Sequence, residues 1–165
     1  MSANRSDITI RPMEFLDLRA IFEIHKKIEA EEKYPTYKQF HVRKIFGMGA
    51  EENTPRPDIL EVAKLIDLGM VAESEGKICG FALGRERYLA EHDIHEGEIA
   101  IIGVEPDCRK SGVARKLIDA ICDLLESRGV NSVRIGIDPE DENLLAFFER
   151  VGFTGQRLLY LSKAL

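Results

Sequence analysis

The chain has 165 residues, a formal net charge of −6, 44% hydrophobic residues and 32% charged residues. That length supports one domain with a real core, and no apolar run is long enough for a bilayer helix. An acidic chain is a poor partner for nucleic acid, where phosphate contacts dominate affinity. The opening MSANRSDITI lacks the apolar stretch of a signal peptide, so a cytoplasmic location is expected. Cys79, Cys108 and Cys122 cannot all pair within one chain, and their spacing fits no metal site. They read as reduced thiols, Cys79 and Cys122 buried and Cys108 more exposed.

In chain order, ITIRPM alternates Ile8 and Ile10 with polar residues and stops at Pro12, a short strand. Asp17 is a candidate N-cap for a helix whose inner face carries Leu18, Ile21, Phe22, His25 and Ile28. His25, on that apolar face, reads as a satisfied core residue. A second short helix is expected from Tyr37 to Phe46, then a loop over 47–58 rich in glycine and proline. Asp58 can cap a helix through Val62 and Leu65 to Leu68. MVAESEGKICGFALG places two apolar runs around Glu75-Gly76, a hairpin. GEIAIIGV, ending at Val104, is nearly continuous apolar sequence, as in a central strand.

Gly112 to Arg128 is an amphipathic helix with Val113, Ala114, Leu117, Ile118, Ile121, Leu124 and Leu125 on one face, stopped by Gly129. SVRIGI is another strand. Asp141 opens a helix with Leu144, Leu145, Phe147, Phe148 and Val151 inward, and Gly152 closes it. RLLYLSKAL can form a last strand. The order predicts an α/β fold, with residues 1–165 as one domain around a mixed sheet flanked by helices.

Between the central strand and the next helix lies EPDCRKSG. The first amides of a helix have no intrahelical acceptor and carry partial positive charge, so they can hold an anion. Gly112 leaves the backbone open to a phosphate, Ser111 adds a hydroxyl, and Arg109, Lys110 and Arg115 add charge. Bases alone would read as a solvated surface. The conjunction of strand, bases, glycine and helix start reads as a site for a phosphorylated ligand. Neither the P-loop pattern nor G-x-G-x-x-G is present.

VEPDCRKSGVARKLI resembles the acyl-CoA-binding motif of the GNAT acetyltransferases, Q/R-x-x-G-x-G/A after a strand ending in Val-x-Pro. Arg109, Gly112 and Ala114 occupy the motif positions, and Val104 and Pro106 the strand end. ITIRPMEFLDLRAIFEI and DENLLAFFERVGF resemble the family's first strand and helix and its late helix, so the likeness spans nearly the whole chain. It implies a GNAT-like fold with splayed central strands and acetyl-CoA as cosubstrate. The CoA pyrophosphate would lie on the amides of Arg109, Lys110, Ser111, Gly112, Val113 and Ala114, with Arg115 beside them. It implies acetyl transfer to a primary amine of a small molecule or peptide, with no metal, nucleic acid or membrane partner; a homodimer is left open. Gly103 and Gly136 would serve the opening between strands, with core crowding as the alternative for Gly136.

Under that resemblance Val104 offers its amide to the thioester oxyanion. Glu98 is the candidate base, six residues before Val104, an even spacing that places both side chains on one strand face. Glu96, His92 and His95 compete with it. The late helix departs from the family: Phe148 stands where many members have a proton-donating tyrosine, and Asp141 where many have asparagine. Asn143, two residues on, and Phe148 are expected beside the CoA arm. Tyr160, Tyr88 or water could supply the proton, or the thiolate could leave without one. Two other readings stand: a CoA-binding sensor or partner-binding module with reduced turnover, and a nucleotide-phosphate binder.

Overall fold

The computed structural model describes residues 8–31, 33, 36–37, 59–89, 93–156, 161 and 163–164. They form β1 (Thr9–Pro12), a 3-10 turn (Phe15–Asp17), α1 (Leu18–Ala30), α2 (Ile59–Asp67), β2 (Gly69–Ser74), β3 (Lys77–Leu89) and β4 (Ile94–Val104). A second 3-10 turn (Pro106–Cys108), α3 (Val113–Ser127), β5 (Val133–Arg134) and α4 (Glu142–Arg150) follow. The expected helix to Phe46, apart from Tyr37 itself, the loop over 47–58, His92 and Tyr160 lie outside the described residues, as does most of the expected last strand.

The strands hydrogen-bond in the order β1-β2-β3-β4-β5. The first four run antiparallel and β4 pairs with β5 in parallel, so the sheet is mixed, as the sequence predicts. Glu75 and Gly76 form the two-residue turn between β2 and β3, both at positive φ (52° and 74°), which matches the right-handed strand twist. Each face of the sheet buries its own core. On one face Leu117, Ile121 and Leu125 of α3 pack with Ala72, Ala82, Ile99 and Phe148. On the other, Ile21, Ile24 and Ile28 of α1 pack with Val71, Phe81, Leu83 and Ile101. Full burial of each large side chain is worth about 1.5–3 kcal/mol, which makes these two layers the main stabilising contacts of the fold.

Several local expectations change. Asp17 does not cap α1. Its carboxylate is taken by the Arg11 guanidinium through two bonds of 2.8 Å and by the Glu14 N–H at 2.8 Å. The Arg11 hydrogen bonds hold that carboxyl below its ordinary range. Leu145 faces solvent, and Cys122 is only half-buried. SVRIGI is strand only at Val133 and Arg134, because beyond them β5 leaves its partner.

Register on β4 slips once. Leu83 pairs with Ile101 and Gly84 with Ile99, so Ala100 is an extra residue and the strand bulges there. Ala100 and Ile101 both join the α1-side core, while Ile99 and Ile102 pack on the α3 side. A bulge of this kind inverts the inside–outside alternation beyond it. Gly103 follows. A Cβ there would sit 2.6 Å from Phe81 Cε1 and 3.1 Å from Ile28 Cδ1, so packing under α1 demands glycine. Among the described residues, nothing lies within 4 Å of where a Gly136 Cβ would sit, which speaks against core crowding as its explanation. Gly103→Ala should therefore lower unfolding free energy in urea by about 1–3 kcal/mol, the usual cost of overpacking; an unchanged midpoint would mean that Phe81 yields freely.

Candidate active site

β4 and β5 are partners only at Gly97–Val133 and Glu98–Arg134. Past that point they part, and the C-terminal half of β4 has no strand on its outer edge among the described residues. The ladder bond from the Glu105 N–H to the Cys79 carbonyl (2.9 Å) sets the alternation along β4. Val104, opposite Gly80, therefore turns its N–H and C=O away from β3, toward the gap. The separation of strands that the sequence predicts is present, and the Val104 amide faces it.

A cleft of about 410 Å³ occupies the gap. One wall carries Ile28 and Tyr37 from the α1 side, and another carries Val113, Leu144 and Phe148 from the α3 side. The cleft thus reaches both faces of the sheet. Val104, Arg109, Lys110, Gly112, Val113, Ala114, Arg115 and Phe148 all line it. Ser111, Asn143 and Glu98 do not. Ser111 donates its hydroxyl to the Cys108 carbonyl and braces the turn instead. Asn143 lies exposed on α4, and the residue of that segment that enters the cleft is Asp141.

Backbone geometry builds the mouth of the cleft. Lys110 has φ 61° and Gly112 φ 88°, and Gly112 is the N-cap of α3. A Cβ at Gly112 would meet no atom within 4 Å, so its left-handed backbone requires glycine rather than crowding. The first helical bond runs from the Lys116 N–H to the Gly112 carbonyl at 3.1 Å. The amides of Val113, Ala114 and Arg115 are left without an intrahelical acceptor, at the positive end of the helix dipole. Arg109 is held in place. Its Nη1 reaches Glu31 Oε2 at 2.6 Å and its Nε the Val104 carbonyl at 3.3 Å. Lys110 is exposed and has no ion-pair partner among the described residues.

Asp141 is 7% exposed and caps α4 by accepting from the Leu144 N–H at 3.4 Å through Oδ1. Its Oδ2 is buried and has no partner among the described residues. A buried oxygen in that state calls for a hydrogen-bond donor from a ligand or water. An amide-rich arm in the cleft, with a polyanionic head on the α3 amides, fits this set of donors and acceptors. Sequence reasoning passed over Asp141 for Asn143, although its position ahead of a helix marked it as a cap.

Glu98 is placed differently from the expectation. The bulge at Ala100 lies between it and Val104, so the two side chains point to opposite faces. Glu98 is half-buried, with Arg85 and Arg134 as its register partners. At about 3.3 Å per residue it stands roughly 20 Å along the strand from Val104. The competing residues form a separate cluster, in which Glu96 lies 3.8 Å from Arg87 and 3.5 Å from Arg134 and His95 lies 3.5 Å from Glu86. Tyr88 packs edge-on to His95 and is exposed. None of these lines the cleft. Burial pushes the Cys79 thiol up to about 12 and raises Cys108 as well, so neither is a ready thiolate.

The sequence matches the Acetyltransferase (GNAT) family over residues 23–153, which spans both walls of the cleft. The chain belongs to the GNAT acetyltransferase family. Solved structures share its fold. AAC(6')-Iy, an aminoglycoside N-acetyltransferase, in complex with the bisubstrate analog CoA-S-monomethyl-acetylneamine, is 19% identical, with 97% of this chain and 100% of that chain covered and a TM-score of 0.66. An aminoglycoside acetyltransferase from an uncultured soil metagenomic sample, in complex with sisomicin, is 20% identical, with 96% of each chain covered and a TM-score of 0.65. A ribosomal-protein-alanine N-acetyltransferase from Brucella melitensis biovar Abortus 2308 is 16% identical, with 96% and 99% covered and a TM-score of 0.64. At such identities the likeness is one of fold. Among the described residues of this GNAT chain, no helix is long and apolar enough to cross a membrane.

The two roles of Asp141 can be separated. Asp141→Ala should cost about 1 kcal/mol through the lost cap. Asp141→Asn, which keeps a cap oxygen, should stay much closer to the parent in chemical denaturation. Equal losses in the two variants would remove the capping role.

Proposed function

We propose that this GNAT chain acts as one acyl-CoA-binding domain over residues 1–165 and moves an acetyl group from acetyl-CoA to a primary amine by direct attack. The observation that carries the reading is the parting of β4 and β5 beside the exposed amides of α3. The pyrophosphate of CoA would rest on the amides of Val113, Ala114 and Arg115, with Lys110 and the Arg109 and Arg115 guanidiniums neutralising its charge. The arm would extend along the outer edge of β4 past Phe148 and Asp141. Its thioester carbonyl would then meet the Val104 N–H, which turns into the gap and serves as oxyanion donor. The amine would enter from the α1 face, because the cleft opens to both sides of the sheet. Phe148, buried and edge-on to Phe147 and Phe153, packs the arm and has no proton to give.

Acceptor identity is a matter of class. Two structural relatives act, by their names, on aminoglycosides and on a ribosomal protein's alanine, and both classes present an amine. Glu29 and Glu31 at the end of α1 lie toward the Tyr37 side of the cleft and favour a cationic acceptor. Glu98 can serve such an amine only through a chain of water.

Calorimetric titration with acetyl-CoA, CoA and ATP tests the assignment, together with thiol release over an amine and peptide panel. Gly112→Glu should weaken acetyl-CoA binding at least tenfold, since it puts a carboxylate and a strained φ at the phosphate seat; unchanged affinity would remove the turn as the CoA site. ATP binding without CoA binding would favour the nucleotide reading, and CoA binding without turnover the sensor reading. Glu98→Gln should slow turnover only a few-fold at neutral pH, with the deficit disappearing at high pH, where the free amine is already neutral. A hundredfold loss at every pH would contradict the water-chain role.

A further inference from the structure

Tyr37, His25 and Glu29 form a chain of side chains that ends at the cleft. Tyr37 is 8% exposed and lines the cleft on its α1 side, with Ile28 and Gly103. Its hydroxyl lies 3.1 Å from His25 Nδ1. His25 is 1% exposed, and its Nε2 lies 3.4 Å from Glu29 Oε2, one helical turn on along α1, an ion-pair distance without hydrogen-bond geometry. Thr36 ties the same segment across the gap by accepting from the Asp138 N–H at 3.0 Å, beyond β5. Tyr37 is therefore fixed between α1 and the far side of the strand opening, at the end where an amine would enter.

We infer that Tyr37 is a catalytic residue that passes the amine's proton to His25 and back, with His25 and Glu29 as positioning residues behind it. The inference rests on the acetyl-transfer reading above. The negative charge of Glu29 near Nε2 favours the His25 tautomer with its proton there, in which Nδ1 accepts from the phenol. When the amine nitrogen bonds to the thioester carbonyl carbon, its surplus proton goes to Tyr37 Oη as the phenol's own proton moves to Nδ1. The resulting imidazolium lies beside the Glu29 carboxylate, whose charge favours it. When the C–S bond breaks, its electron pair stays on sulfur, and the proton returns through Tyr37 to give the free thiol. The net result is one amide and one thiol, with no other reactant. Burial raises the phenol's pKa, so Tyr37 stays protonated between turnovers and moves a proton only in concert with His25. Phe148 supplies no proton from the opposite wall, and Tyr37 provides the hydroxyl that the wall lacks.

Three measurements on the full chain test this. Nitrogen NMR of labelled histidine should show His25 protonated at Nε2 and not at Nδ1; a proton on Nδ1 would overturn the relay without any substrate. Tyr37→Phe keeps the ring and should lower kcat about a hundredfold, the usual worth of a general acid–base, with acetyl-CoA affinity within twofold of the parent. A kcat within twofold would defeat the proposal. Glu29→Gln, at a half-exposed site, should cut kcat several-fold and move the acidic limb of the rate profile to lower pH, because the imidazolium loses its partner. Among the described residues, the charged groups facing this cluster are Glu29 itself, Arg109 with its partner Glu31, and Asp138 beyond Thr36, so Glu31→Gln serves as a control and should shift that limb less. An equal shift would assign the limb to the general field and overturn the relay. If the parent does not bind acetyl-CoA at all, the acetyl-transfer reading fails, and that result is distinct from a Tyr37→Phe variant that binds and turns over normally.

Discussion

The site depends on a backbone constraint: main-chain polar groups must be satisfied, and a strand edge inside a protein is the hardest place to leave them unmet. β4 is central in the sheet, yet its partner on one side lasts for two residues. Beyond them the N–H and C=O of Val104 face a cleft instead of a neighbouring strand. Pairing β5 along the whole of β4 would close that edge and stabilise the sheet, but it would leave no edge for a ligand's amides. The fold gives up ladder bonds at the place where an extended, amide-rich molecule can replace them. The α3 amides apply the same physics at a helix end, since the first of them have no intrahelical acceptor.

The bulge at Ala100 and the glycine at Gly103 shape the other side of this edge. The bulge sends Ala100 and Ile101 together into the α1-side core, and Ile102 and Val104 resume on the α3 side. Gly103 then lets Phe81 and Ile28 pack directly beneath the end of the strand. The α1 helix is thereby seated close to the gap, bringing His25 and Glu29 with it, while Arg109 reaches back to Glu31 near the end of the same helix.

Much of the fold was legible in the sequence because its signals are local. Apolar alternation marked β1, apolar runs around Glu75-Gly76 marked β2 and β3, a nearly continuous apolar run marked β4, a 3.6-residue period marked α1 and α3, and Gly112 and Gly129 marked the ends of α3. The turn with exposed helix-start amides was legible for the same reason: a strand, a glycine, bases and a helix start are neighbours in the chain. The readings that failed all needed information from elsewhere. Asp17 has the chemistry of a cap, but Arg11 claims its carboxylate from a neighbouring strand. Asn143 is the family-like residue two places from the expected site, yet the turn of α4 points Asp141 into the cleft.

By itself the sequence determined the order of elements, the mixed character of the sheet, the family and the place of the glycine turn at the start of α3, because each is written in spacings of a few residues. Only the tertiary structure decided which side chains share a face and which meet. Glu98 and Val104 were separated by one extra residue, since a bulge inverts an alternation that counting alone assumes is unbroken. Tyr37 and His25, twelve residues apart, were joined by the packing of a connecting segment against α1 and the strand opening, a contact fixed by burial and hydrogen bonding rather than by any period in the chain.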